Sequence, residues 1–180
     1  MFGATIVEPP KPRVPITLVF TSAPTGYNRI LRLFTQSPAS HVALGIGEGR
    51  QTLIQADFDG VVISNRKEWF KRTHSYLVAE YEVLVDVTDG FEHVLREVGK
   101  PYDFIYSAQN LLSFFYRWTV GWTVRHLYRE LRTSQTCAQL AMMLDPGCVK
   151  IKEWCGLDIA TVNPGDLLSR ADGPSFRRIQ

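Results

Sequence analysis

The stretch TCAQLAMMLDPG, residues 136–147, sets Cys137 one residue after a threonine, at the head of an apolar run with helical character. Thr136 followed three residues later by Gln139 is the pattern of a capping box, which puts Cys137 at the first helical position. A thiol there meets unpaired backbone N–H groups and the positive end of the helix dipole, and both favour the thiolate. A thiolate nucleophile works with a base that takes its proton and later returns it to the leaving group. His41 suits that task. It shares one face of the run SHVALGIG (40–47) with Ala43 and Gly45, whose small side chains leave room for a close approach. A third polar group usually orients the imidazole; Gln55 on the neighbouring strand is best placed, and Asp57 lies two residues on, on the same face. Taken singly, each of these residues also has an ordinary structural reading, Cys137 as a small core residue and His41 as an edge histidine.

The other sites for chemistry are poorer. His74, His93 and His126 fall near turns or in helices, without metal-ligand spacing to the cysteines, and His93 reads as a residue on a solvated face. Cys148 and Cys155 are seven residues apart with no second pair, so neither a zinc site nor any other metal or cofactor is expected. Three cysteines cannot all pair within one chain. An odd count favours a reducing compartment and a free thiol.

The elements that must carry these residues follow from apolar periodicity. PITLVFTS (15–22) reads as a buried strand, and YNRILRLFTQ (27–36) as a short helix stopped before Pro38. In 40–47, Val42, Leu44 and Ile46 point one way and the small residues the other. QTLIQAD (51–57) is its antiparallel partner, FDGVVIS adds an Asp-Gly turn and another strand, and 75–87 supplies a long strand or two joined ones. After Thr88 the pattern turns helical: Asp89 is a cap for GFEHVLREVG, with Gly99 and Pro101 as its stop. From 104 to 122, apolar and aromatic residues recur every three or four positions, an aromatic stripe on one or two helices. Strands thus dominate the first half and helices the second, an α+β layout in which the face of the cysteine helix packs on the sheet.

Bulk properties narrow the function classes. The chain has 180 residues, 45% of them hydrophobic, enough for one domain with a real core. With 20 basic and 18 acidic side chains the net charge is +2, which argues against nucleic acid as a partner. The start MFGATIVEPPKPRVP lacks a basic segment followed by an apolar one, so no signal peptide is expected; its prolines suggest an extended arm over residues 1–14. The most apolar stretch is interrupted by Gln109, Asn110 and Arg117, so no transmembrane segment is expected either. The division expected is therefore an arm (1–14), a domain (15–145) and a mostly irregular tail (146–180).

SPASHVALGIG, TLIQADFDGVVIS, GKPYDF and TCAQLAMMLD, in that order, resemble the circularly permuted NlpC/P60-like branch of the papain-like fold. That group holds YiiX-type bacterial hydrolases and, more distantly, lecithin:retinol acyltransferases. In the permuted branch the histidine strand precedes the cysteine helix, as here, where His41 lies 96 residues ahead of Cys137. The resemblance covers roughly 15–145. It implies Cys137 as nucleophile, His41 as base, Gln55 in the polar third position, the Cys137 N–H as one oxyanion donor, and Tyr102 and Asp103 as residues shaping the cleft. It departs from the pattern at Ala138, where a serine often follows the cysteine, and at Gln55, which cannot hold an imidazolium by charge. The implied activity is a thiol hydrolase without cofactor, acting on a peptide amide such as a cell-wall bond, in the cytoplasm or with a phage. An amide is preferred because no strongly basic amphipathic helix points to a membrane surface. Two other readings stand beside it: a lipid ester hydrolase or acyltransferase, and a non-enzymatic subunit that uses its arm and tail in a larger assembly.

Overall fold

Seven consecutive residues of β1 (Ile16–Ser22) are buried, as in a strand covered on both faces. The strand belongs to a computed structural model that describes residues 14–102, 136–159 and 162–180. The aromatic stripe at 104–122 and all of the expected arm but Val14 lie outside those residues. Around β1 the chain builds a six-stranded sheet in the order β4-β3-β2-β1-β5-β6, where β2 is His41–Ile46, β3 Thr52–Asp57, β4 Gly60–Asn65, β5 Tyr76–Val83 and β6 Phe176–Arg178. Every pairing is antiparallel. Helix α1 (Gly26–Thr35) links β1 to β2, α2 (Arg66–Thr73) links β4 to β5, and α3 (Thr88–Glu97) follows β5. The Asp59-Gly60 turn is tight: Gly60 takes φ +102°, and a Cβ there would stand 2.5 Å from the Lys100 carbonyl oxygen.

The two faces of the sheet bury different groups. Val42 and Leu44 join Leu18, Phe20, Ile54 and Tyr81 in the main core, whereas Ala43 joins Val19, Leu53 and Trp69 in a second cluster. Helix α4 (Cys137–Met142) packs against β2 and β3 and is buried at all six residues. Its cysteine, Leu140 and Ala141 belong to the Val42/Leu44 cluster. This corrects the expectation that the cysteine helix would approach β2 from its small-residue side. The branched side chains offer the larger apolar area to cover, and the small-residue side receives Trp69 of α2 instead.

The region after 146 is also corrected: it is mostly turns and loops, yet no tail. Ile151, Trp154, Leu167 and Phe176 are buried in the main core, which explains why α4 has no solvent face. A 3₁₀ turn (Lys152–Trp154), helix α5 (Pro164–Ser169) and β6 form there, and β6 pairs with β5 from Val83↔Phe176 to Tyr81↔Arg178. Buried Asp145 fixes the exit from α4 by accepting from the N–H groups of Val149, Lys150 and Ile151 at 3.1, 2.8 and 2.6 Å. Asp89 does not cap α3. Asp86 lies outside the helix and takes the Thr88 N–H at 3.0 Å, leaving Asp89 in the first turn facing Lys150. Gly99, at φ +91°, follows the end of α3 as expected, and His93 is exposed. No helix among the described residues is long and apolar enough to cross a membrane.

Candidate active site

Local sequence fixes where Cys137 stands. The capping box forms: Thr136 Oγ1 accepts from the Gln139 N–H at 3.3 Å and Gln139 Oε1 from the Thr136 N–H at 3.1 Å. Both side chains are buried, so neither reciprocal bond competes with water. His41 is the first residue of β2, at the end of the sheet. From there its ring reaches Cys137 of the main core and also stacks on Trp69 of the second cluster. A histidine further along the strand would serve one face only.

The imidazole is held on two sides. Its Nε2 lies 3.1 Å from Gln55 Oε1, and the Gln55 amide nitrogen donates to Ser64 Oγ at 3.1 Å. Gln55 is fully buried, so its amide direction is set by these partners. Nδ1 is left to face the Cys137 thiol, and the two groups shift each other's ionisation. Burial alone would lower the His41 pKa. The charge and hydrogen bond of Cys137 outweigh burial, Asp57 and Gln55 add to them, and the imidazole is held above its usual range. Burial pushes the Cys137 thiol up, but the His41 charge and hydrogen bond, followed by the N–H groups of Val42 and Ala138, bring it below an ordinary thiol. Both directions favour a thiolate facing an imidazolium. With six residues α4 spans under two turns, so these local donors rather than a long helix dipole stabilise the charge.

Trp69 was not legible as part of this site. Its ring stacks on His41 with centroids 5.4 Å apart at 29°, and its indole N–H donates to Asp57 Oδ2 at 3.0 Å. Two anchors seat α2 over the sheet. Asn65 accepts from the Glu68 N–H at the helix start, and Arg66 forks onto buried Glu80 at 2.9 and 2.8 Å. Burial would raise the Glu80 pKa; the Arg66 fork reverses that and holds it below the usual carboxylate range. The Asn65…Glu68 spacing is the available sequence signal, and Arg66–Thr73 shows no apolar periodicity to strengthen it.

The remaining expected residues divide. Asp57 reaches Trp69 and the Phe58 N–H, not the imidazole. Tyr102 lies against Phe58 of the β3–β4 turn, ring centroids 6.2 Å apart, and Asp103 falls outside the described residues. Cys148 and Cys155 sit together, the Cys155 thiol 3.4 Å from the Cys148 carbonyl oxygen. Among the described residues, no group of three or more His, Cys, Asp or Glu could hold a metal ion.

Replacing Gln55 by leucine keeps the volume and removes both hydrogen bonds. Alkylation of Cys137 at about pH 6 is expected to slow about tenfold, because His41 Nε2 loses the partner that orients the ring. A rate equal to the native one would show that Gln55 only fills space.

No protein-family model matches the chain, and no curated protein matches it. Among solved structures, the chain is similar to the crystal structure of metalloprotein yiiX from Escherichia coli O157:H7, DUF1105. The identity is 18% over 94% of this chain and 97% of that chain, with a TM-score of 0.49. A likeness of that size says nothing of activity or ligands.

Proposed function

We propose that the protein is a cysteine hydrolase that cleaves an amide through a thioester on Cys137. The observation that carries this reading is the pair of buried Cys137 and half-buried His41, with the thiol drawn below and the imidazole above their usual ranges. The Cys137 thiolate attacks the carbonyl carbon, and the Cys137 N–H, which has no intrahelical acceptor at the first helical position, faces the developing oxyanion. The His41 Nδ1 proton passes to the leaving nitrogen as the carbon–nitrogen bond breaks. His41 then takes a proton from water, the hydroxide attacks the thioester, and the thiolate departs. An imidazolium already in place favours an amide, since an amine leaves only once it is protonated.

An ester with an apolar acyl chain is the second reading, and α1 favours it. That helix enters β2 at His41, and its Leu33 is 74% exposed and Ile30 45% exposed. The expected lack of a basic amphipathic surface helix is weakened by these residues and their neighbour Arg29, also exposed.

The test is intact-mass and peptide analysis of the protein after incubation with activated peptide amides and with long-chain acyl esters. A transient acyl mass on Cys137, accompanied by turnover of the amides, is expected. Turnover confined to the esters would select the second reading. Absence of any adduct on Cys137 with either series would sink both and leave the assembly role.

A further inference from the structure

We propose that Asp57 supplies the negative charge that the neutral Gln55 does not, and that it acts on His41 through the indole of Trp69. This positioning role rests on reading Cys137 and His41 as the working pair.

A neutral amide beside Nε2 orients an imidazole but gives no charge against an imidazolium. The thiolate itself balances that charge only until it is acylated. Asp57 also acts on His41 by its charge, and among the described residues it makes no hydrogen bond to the ring. Its Oδ1 takes the Phe58 N–H at 2.7 Å and its Oδ2 the Trp69 indole N–H at 3.0 Å. The indole lies stacked on the imidazole. A carboxylate on the indole N–H polarises the ring towards its face, and an electron-rich face attracts a cation stacked on it. Asp57 therefore favours the protonated ring both by its own field and by what it does to the indole.

Among the described residues, the surroundings leave this role to Asp57. From α4 the charge facing His41 is Cys137, and from β3 it is Asp57; β1 presents the uncharged Thr21 opposite His41. Helix α2 presents Trp69, while its Arg66 is engaged with Glu80 and its Arg72 with Asp59. Trp69 is almost fully buried, so water does not screen the stack from that side.

The test is the pH dependence of Cys137 alkylation by iodoacetamide in the full chain, followed on the Cys137 peptide so that Cys148 and Cys155 are counted apart. Native protein is compared with Asp57→Asn, Trp69→Phe and the double variant. Asparagine keeps the size and one acceptor without the charge; phenylalanine keeps a stacked ring without the N–H. Each single change is expected to lower the rate at about pH 6 about threefold and to move the rising limb to higher pH, with the alkaline plateau unchanged. The double variant falls no further than Asp57→Asn, because that change already removes both the field and the polarisation of the indole. Thermal unfolding midpoints run alongside: a limb that moves only in variants that have lost their native midpoint overturns the proposal. So do unmoved limbs in both single variants while the native limb stays low, a result that leaves the Cys–His pair standing. A native limb at the position of an ordinary thiol overturns the pair and this role together.

Discussion

His41→Ala is expected to cut the alkylation rate of Cys137 at about pH 6 at least tenfold and to abolish amide turnover. Without the imidazolium, burial dominates the thiol, and burial favours its neutral form. Even an unperturbed thiol is only about 0.3% ionised at about pH 6. The more basic thiolate is the better nucleophile, which recovers part of the loss but not all of it. The sign over pH follows from the two directions. The reactive pair exists above the lowered Cys137 value and below the raised His41 value, so turnover of the native protein is bell-shaped between them. In His41→Ala no turnover bell remains, and alkylation shows a single rise at the ionisation of the bare thiol. A variant that keeps the native rate and profile would show that the imidazole does not activate Cys137.

Gly90→Ala is expected to destabilise the fold by about 3 kcal/mol and to disturb the site with it. Gly90 lies in the first turn of α3, and a Cβ built there would fall inside the backbone carbonyl of Leu144, just beyond the end of α4. Helix propensity alone would favour alanine by about 1 kcal/mol. Packing decides against it, since a carbonyl cannot swing aside as a flexible side chain can. The two helices must separate, and α4 carries Cys137 at its other end. A fall in the denaturant midpoint with an unchanged slope, together with slower Cys137 alkylation, is the expected result. Stability at or above native would mean that the α3–α4 contact yields without strain.

What the sequence disclosed was local. The capping box at Thr136 and Gln139 needs only four residues, and the His41 and Gln55 strands need only alternation. What stayed hidden depends on contacts made across the chain. α2 has a polar sequence and is held by the Arg66–Glu80 fork, a partnership that no periodicity reveals. The choice of face for α4 is settled by which side of the sheet offers more apolar area, and the segment after 146 covers the opposite side of that helix. Its buried residues, Ile151, Trp154 and Leu167, are too widely and unevenly spaced to register as an element. His41 meets Cys137 of one cluster and Trp69 of the other from its place at the start of β2.

The central claim is that Cys137 rests as a thiolate on a protonated His41. Its most direct measurement is an ultraviolet titration of thiolate absorbance in the native protein minus that of Cys137→Ala, so that Cys148 and Cys155 cancel. The account predicts a difference step well below the ordinary thiol value of about 8.5, carrying the absorbance of one thiolate and lost in His41→Ala. A step at or above the ordinary value, unmoved by removing His41, would contradict it and leave Cys137 a buried core residue.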